Sequence, residues 1–244
     1  MKTWINVLRS EWLKMRKSNI WLLVFVSPLL ASLIGIGESS GEAGPQWEYT
    51  YAMMAMLHAM LFLPLLTGVF AAFVCRYEHA GGGWKQLLAL PVSRSSLYMA
   101  KFTIVLALLA VTQLLFVAGL LIVGRIKGFE AAVPWELILR GVFGGWVAAV
   151  PLAALQLAVS VAWASFAAPL ALNVIFTLPN MLVAQSEQYG PYYPWAQPML
   201  SMLLPPEGGF GAFNVPLETL VFVIAGSFAL FFAAGLSYFI RKEI

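Results

Sequence analysis

Long apolar runs separated by short polar segments dominate the pattern of residues along this chain. Runs of at least eighteen residues without a charged side chain recur from the N-terminal region to the C-terminal one. About twenty apolar residues in an α-helix cross the roughly 30 Å hydrocarbon layer of a bilayer, whereas a membrane barrel shows short alternating segments. The pattern therefore predicts an all-α, polytopic membrane protein.

We predict six transmembrane helices that form a single membrane-spanning domain over residues 1–244. The predicted spans cover residues 20–37, 51–74, 102–124, 141–162, 167–184 and 220–240. Three further segments are predicted, namely an N-terminal interfacial helix over 1–18, a cytoplasmic segment over 75–101 and an extracellular re-entrant segment over 187–217.

The boundary between the fourth and fifth spans rests on length. No charged residue occurs over residues 141–186, and a single helix of that length would run about 69 Å, twice the membrane thickness. The chain must therefore turn back, and residues 163–169 suit the turn best. Ser165 offers a helix cap, and Pro169 is unable to continue the preceding helix but fits the first turn of the next one.

Composition and charge agree with this class. Of all residues, 61% are hydrophobic and 10% are charged, and the mean hydropathy is +0.84. With the N-terminus inside, eleven of the fourteen Lys and Arg residues fall in cytoplasmic segments, so the positive-inside rule predicts a multi-pass membrane protein with both termini in the cytoplasm. The net charge of +3 then requires no nucleic-acid partner. A cleaved signal peptide is the competing interpretation of the N-terminus, although its apolar run is longer than such a peptide needs.

The segment before the first span has the pattern of a helix that lies in the membrane interface. Its apolar residues fall on one helical face, with polar residues opposite. This helix would enter the first span through a bend, and we call it the elbow helix. A simple basic anchor with incidental tryptophans is the alternative. The residues of the predicted apolar face are Trp4, Ile5, Leu8, Trp12 and Met15.

Residues 76–101 place four Lys and Arg residues between two long apolar runs. The glycines at 81–83 break the helix that leaves the second span. Trp84, Leu87 and Leu88 then mark the apolar face of a short amphipathic helix across the cytoplasmic surface. The alternative is that these three side chains merely rest among lipid headgroups. The residues expected to end this helix and to cap the next are Pro91, Ser93, Ser95 and Ser96.

This segment resembles the coupling segment of permease subunits in type-2 ATP-binding-cassette exporters. The matching residues are Glu78, Gly83-Trp84-Lys85, Leu87-Leu88, Leu90-Pro91-Val92-Ser93-Arg94 and Lys101, together with Glu11 and Lys14 in the elbow helix. The length and the six predicted spans also fit, so the resemblance covers the whole chain. Within the class, the chain is most similar to the small permeases of lantibiotic-immunity and bacitracin-type export systems. The three consecutive glycines at 81–83 are more than that family's pattern has before this helix.

The resemblance implies a division of labour between subunits. A separate cytoplasmic ATPase would bind ATP and magnesium, and this chain would hold no cofactor itself. A second permease, either the same chain or a relative, would complete the transport pathway within the membrane lipid. The expected cargo is a membrane-active peptide antibiotic, or alternatively another amphipathic or lipid-linked molecule. The residues expected to contact the ATPase are Glu78, Trp84, Lys85, Leu87, Leu88 and Arg94.

The sequence argues against an enzyme without removing that alternative. It contains no G-x-x-x-x-G-K-[ST] phosphate loop and no Asp at all, so we predict no catalytic residue, no metal ligand and no ATP hydrolysis by this chain. His58 is the one ionisable residue in mid-span, and an interhelical hydrogen bond explains it better than catalysis. An intramembrane enzyme and a regulatory membrane subunit remain the alternatives. Cys75 is the only cysteine, which excludes an intrachain disulfide.

Polar residues within the spans are the candidates for a substrate path. Their alternative role is hydrogen bonding between helices, which is the commoner one. Outside the membrane, the aromatic and apolar residues of 187–217 predict a segment that dips into the outer leaflet, with an aromatic belt as the simpler interpretation. The candidate path residues are Gln113, Gln156, Asn173 and Asn180.

Overall fold

The structure is a computed structural model, and it describes residues 2–16, 18–38, 45–79, 83–89, 91–203 and 216–242. Every regular element within these ranges is helical, which confirms the all-α prediction. The elements are α1 (Lys2–Arg16), α2 (Ile20–Gly37), α3 (Gln46–His79), α4 (Gly83–Leu88), α5 (Arg94–Ile126), α6 (Trp135–Ala162), α7 (Ala167–Thr177), α8 (Asn180–Ala184), a 3-10 turn (Gly190–Tyr192), α9 (Gln197–Met202) and α10 (Leu217–Arg241).

Five helices are long and apolar enough to cross a membrane, namely α2, α3, α5, α6 and α10. The predicted fifth span is divided between two helices, α7 and α8. Helix α7 has 11 residues, about 16 Å at 1.5 Å per residue. The helical ladder breaks at Leu178 and Pro179, because proline has no N–H to donate. A sixth crossing would have to combine α7 and α8, and the six-span count stays a prediction.

Two of the spanning helices are much longer than the apolar runs that predicted them. Helix α3 has 34 residues and α5 has 33, so each is about 50 Å long. Within α5, Lys101 and Arg125 are separated by about 36 Å along the axis, enough to place both charges at opposite edges of the hydrocarbon layer. The predicted spans are therefore the central parts of longer helices.

The predicted turn between α6 and α7 is confirmed. Helix α6 ends at Ala162 and α7 begins at Ala167. The backbone N–H of Ala168 donates to the hydroxyl of Ser165 over 3.4 Å, as the capping argument requires.

Helix α6 lies at the centre of the bundle, where it packs against α3, α5, α9 and α10. Helix α2 packs on α5 and α3, and α1 packs on α5. Large apolar side chains remain exposed on the outer surfaces, for example Leu22, Phe222 and Leu230. A surface of this kind suits hydrocarbon rather than water.

The elbow helix α1 meets the bundle through a different face from the predicted one. Val7, Glu11 and Met15 are buried against the other helices, whereas Trp4 and Trp12 are 37% and 39% exposed. Of the five residues on the predicted apolar face, only Met15 is therefore fully buried. The buried carboxylate of Glu11 explains the difference, because its partner Lys101 lies within the bundle on α5, so that the face of α1 with Glu11 turns inwards.

Part of the predicted re-entrant segment lies within the described residues. Helix α9 packs against α6, and all six of its residues are buried. The hydroxyl of Tyr51 donates to the carbonyl of Met202 over 2.9 Å. Residues 204–215 of the predicted segment lie outside the described residues.

Candidate coupling site

Four charged side chains from three helices form a compact cluster at one end of the bundle. Glu11 and Lys14 come from α1, Glu78 from the end of α3, and Lys101 from α5. Lys14 pairs with Glu11, and its Nζ lies 2.7 Å from Oε1 of Glu78. We call these four residues the charge cluster and this end of the molecule the α4 end.

Lys101 is the centre of the charge cluster and is fully buried. Its ammonium donates to Oε2 of Glu11 over 2.7 Å, to Oε2 of Glu78 over 2.8 Å and to the carbonyl of Val74 over 2.6 Å. A lysine has three N–H donors, so all of them are used. The cluster holds two cations and two anions, and this balance is what makes burial of the charges tolerable.

The short helix α4 folds back onto the end of α3. A Cβ at Gly83 would lie 2.8 Å from the carbonyl oxygen of Tyr77 and 2.9 Å from Cα of Glu78. Only glycine allows so close an approach of two backbones. Gly81 and Gly82, the other members of the predicted helix break, lie outside the described residues.

Trp84 of α4 points into the helical bundle rather than away from it. Its side chain is 6% exposed, and its indole N–H donates to Nδ1 of His79 over 3.2 Å. The ring meets Phe239 edge-on at 5.3 Å, and Nζ of Lys101 lies 5.6 Å from its centroid, within range of a cation–π contact. Trp84 thus joins α4 to α3, α10 and the charge cluster.

Cationic and imidazole side chains cap the ends of the long helices at the α4 end. Arg94 donates to the carbonyls of Phe239, Ile240 and Lys242 over 3.3, 3.0 and 2.6 Å. His79 shares a hydrogen bond with the carbonyl of Ser160 at 2.7 Å. These carbonyls lie at the C-terminal ends of α10 and α6, where helix dipoles favour positive charge.

Lys242 makes the reciprocal contact between the same two helices. It follows α10 directly and donates to the carbonyl of Val161 over 2.7 Å. Partial burial lowers the pKa of this ammonium from its ordinary value. Together with Arg94, Lys242 ties the end of α10 to both α5 and α6.

The predicted ATPase-contacting residues therefore fall into two groups. Glu78, Trp84 and Arg94 make their polar contacts within this chain. Lys85 is exposed and Leu87 is partly buried, and the side chain of Leu88 lies outside the described residues. A cavity of about 390 Å³ opens beside α4. Its lining residues are Lys14, Tyr77, Glu78, Gly83, Gln86 and Leu87.

The turn around Ser165 and Phe166, which the resemblance also implies as a second and smaller contact with the ATPase, lies close to the same end. Phe166 packs edge-on against Phe73 at 5.3 Å, and the guanidinium of Arg76 lies 5.6 Å from the Phe166 ring. The turn is thereby fixed to the last turns of α3. Its contact with a partner stays a prediction.

Of the candidate path residues, Gln113 belongs to a chain of hydrogen bonds that links α2, α3, α5 and α6. His58 lies 2.6 Å from the hydroxyl of Ser27 through Nδ1 and 3.0 Å from Oε1 of Gln113 through Nε2. The amide N–H of Gln113 in turn donates to the carbonyl of Val142 over 3.2 Å. The interhelical role expected for His58 agrees with these contacts.

Asn173 and Gln156 meet in a second group of buried polar side chains. Oδ1 of Asn173 accepts from Nε2 of Gln156 over 3.0 Å and from the indole of Trp195 over 2.8 Å. Its amide nitrogen donates to the carbonyls of Pro64 and Leu65 over 3.1 and 3.2 Å. All four hydrogen-bonding positions of the Asn173 side chain are therefore filled.

Asn180 compensates for a defect that Pro64 introduces into α3. Proline lacks the N–H that would bond the carbonyl of Met60, and residues His58–Phe62 adopt a π-helical turn just before it. Nδ2 of Asn180 donates to that Met60 carbonyl over 2.7 Å and to the carbonyl of Trp195 over 2.9 Å. Asn180 therefore supplies the hydrogen bond that the Met60 carbonyl lacks because of Pro64.

Comparison with models of protein families gives a match. The sequence model of a family described as "ABC-2 family transporter protein" matches residues 7–180, well over half of the chain. The chain belongs to this family. None of the curated proteins compared with this ABC-2 transporter chain matches it.

Family membership accounts for the main features of the ABC-2 transporter chain. It is a multi-pass membrane protein and the membrane component of a transporter, and its family implies a partner ATPase with an ATP-binding cassette. The matched region includes the whole charge cluster and α4. Whether Glu78, Trp84, Lys85, Leu87, Leu88 and Arg94 contact that ATPase stays a prediction.

Sequence reasoning missed several residues of the site in this ABC-2 transporter. His79 and Lys242 were not expected to join helix ends, and Ser27 was not expected to meet His58. A histidine or lysine within the last turn of a long helix is a weak signal for such capping. No sequence signal specifies which neighbouring helix receives the contact.

Proposed function

We propose that this chain is the permease subunit of an ATP-driven exporter, coupled to its ATPase through α4 and the charge cluster. The observation that carries the proposal is the junction at the α4 end, where Trp84 and Lys101 link α4 to α3, α5 and α10. A push on α4 would move three spanning helices together, since packed elements shift as units. Both termini and α4 face the cytoplasm, and a second permease completes the pathway.

In this proposal the ATPase contacts the exposed side of α4, with Lys85 and Gln86 at the surface and the neighbouring cavity receiving a partner side chain. Trp84 acts from behind as the anchor that makes α4 rigid. This arrangement refines the predicted contact set. The exposed residues contact the ATPase, and the buried residues transmit its motion to the spanning helices.

A charge reversal at Lys85 tests the coupling surface. We expect Lys85→Glu to weaken copurification with a co-expressed ABC ATPase by about fivefold or more, because removing favourable charge at an interface and adding unfavourable charge typically costs at least about 1 kcal/mol. The thermal stability of the permease alone should not change. Arg241→Glu is the matched control, since Arg241 is also exposed at the α4 end but lies outside α4. Equal ATPase capture by Lys85→Glu and wild type would contradict the contact.

For the cargo, we propose a membrane-active peptide antibiotic, as in lantibiotic-type self-protection or resistance. Support comes from a cavity of about 350 Å³ at the opposite end of the bundle, where charged side chains adjoin an exposed tryptophan. Such a surface suits an amphipathic molecule. Its lining residues are Pro134, Trp135, Glu136, Leu137, Arg140, Gly141 and Ser201.

Cells lacking this chain should be more sensitive to such peptides than complemented cells. The measurement is the inhibitory concentration of each member of a panel of lantibiotics and bacitracin-type peptides. Complementation with Lys85→Glu should give weaker protection than complementation with the wild-type chain if ATP drives the protection. Equal sensitivity of deleted and complemented cells across the panel would remove the peptide cargo while leaving the ATPase contact to be judged by copurification.

A further inference from the structure

An apolar groove of about 600 Å³ runs between the elbow helix α1 and the spanning helix α5. It has one charged side chain, Arg9, and one hydroxyl, Thr103. The Thr103 hydroxyl already donates to the carbonyl of Met99 over 2.8 Å, so it is not available to a ligand as a donor. The lining residues are Leu8, Arg9, Trp12, Leu13, Thr103, Ile104 and Ala107.

Arg9 is exposed at the rim of the groove. Among the residues that the structure describes, the ion pairs of α1 involve Glu11 and Lys14, and Arg9 takes part in none of them. A guanidinium beside an apolar groove matches a ligand with an anionic head and a hydrocarbon tail, because arginine binds phosphate in a bidentate manner.

The geometry points to a binding site for an anionic phospholipid, with its phosphate on Arg9 and one acyl chain in the groove. The interfacial position of the groove favours a bilayer lipid over other ligands of this chemistry. Trp12 and Leu13 flank the groove and are 39% and 60% exposed, as expected of an interfacial helix. The groove volume lies in the usual range of small-ligand sites. An anionic headgroup is attracted to basic residues at a membrane surface.

The groove lies beside the charge cluster. Its two walls are α1 and α5, the helices that the 2.7 Å contact between Glu11 and Lys101 joins. A lipid held by both walls would therefore stabilise the same helix pairing, so that bilayer composition would regulate the α4 end. The site does not depend on the identity of the cargo.

The test measures lipid contact at Trp12 in the full chain, reconstituted in phosphatidylcholine nanodiscs. Brominated phosphatidylglycerol or brominated phosphatidylcholine is added at equal mole fractions, and quenching of Trp12 is obtained as the difference between wild type and Trp12→Phe. We expect the association constant for phosphatidylglycerol to exceed that for phosphatidylcholine by about fivefold, the ratio that one arginine gives near an anionic surface.

Two variants and one matched control decide the result. Arg9→Gln should make the association constants for the two lipids about equal. Ala107→Phe should fill the groove and reduce quenching by both lipids. Arg16→Gln is the control, because Arg16 is exposed on the same helix but does not line the groove. No preference in wild type, or an equal loss in Arg16→Gln and Arg9→Gln, would overturn the site. Arg9→Gln alone is decisive if Ala107→Phe elutes as aggregated protein.

Discussion

Replacing Lys101 with methionine should destabilise the protein more than any other single change at the α4 end. Methionine keeps much of the side-chain volume but removes the ammonium that Glu11 and Glu78 share at 2.7 and 2.8 Å. Two buried carboxylates would then face each other with only Lys14 to balance them. Breaking a buried ion pair from one side costs about 3–5 kcal/mol, which corresponds to a decrease of about 10 °C in the unfolding midpoint for a chain of this size.

The midpoint can be measured as loss of the monodisperse peak in detergent after heating. Lys85→Met is the matched control, since it removes an exposed lysine from α4 and should shift the midpoint by less than about 2 °C. A double variant separates charge from packing. Adding Glu78→Gln to Lys101→Met restores neutrality, with Glu11 and Lys14 as the remaining pair, and should recover much of the loss. A Lys101→Met protein as stable as wild type would show that the cluster does not hold these helices.

The same variant bears on transport because the cluster joins three elements. Glu11 and Lys14 fix the elbow helix, Glu78 ends the second span, and Lys101 begins the hydrocarbon-spanning part of α5. Loss of Lys101 would release α1 from α5 and free the end of α3, which carries α4. In the proposed mechanism, a motion of α4 would then no longer be transmitted to the spanning helices.

The fold was predictable from sequence wherever a single physical constraint dominates. The absence of charge over residues 141–186 requires a turn because one helix of that length cannot fit the membrane, and Ser165 and Pro169 show where the turn lies. The five long apolar helices follow from the same rule. The ends of α3 and α5 were not predictable in this way, because those helices continue into polar surroundings where hydropathy no longer marks a boundary.

The rest of the fold depends on contacts between distant parts of the chain. The face of α1 could not be predicted from apolar periodicity, since Glu11 is buried only because Lys101, 90 residues away, supplies its partner. The break between α7 and α8 could not be placed from hydropathy, because residues 167–184 contain no charged residue and a proline such as Pro179 can either bend a helix or end it. The role of Asn180 follows only from knowing that it lies beside Met60.

The candidate site was predicted as a set of residues but not as an arrangement. Glu78, Trp84, Arg94 and Lys101 lie together at the α4 end, whereas the ATPase contact that the resemblance implied for the first three stays a prediction. Trp84 was expected to contact the partner ATPase, whereas in the structure its ring is buried against His79 and Phe239 of its own chain. Sequence indicates that an apolar residue will be buried, but it does not indicate whether its own chain or a partner covers it.

Replacing Asn173 should reveal whether this residue belongs to a substrate path or to the frame of the bundle. Its side chain makes four hydrogen bonds, to Gln156, Trp195 and the carbonyls of Pro64 and Leu65. Interhelical hydrogen bonds in membrane proteins average about 0.6 kcal/mol, so Asn173→Ala should cost about 2–3 kcal/mol, and the unfolding midpoint should decrease by about 6–10 °C.

An aspartate at the same position sharpens the test because it is nearly isosteric. Asn173→Asp keeps an oxygen for Gln156 and Trp195 but turns a second oxygen towards two carbonyl oxygens, so it should destabilise at least as much as alanine. A Cβ at Gly68 would overlap the Asn173 amide, which leaves no room for the side chain to move away. Asn6→Ala, an exposed asparagine on α1, is the control and should leave the midpoint unchanged. If Asn173→Ala instead abolished transport with its midpoint intact, Asn173 would line the path of the cargo.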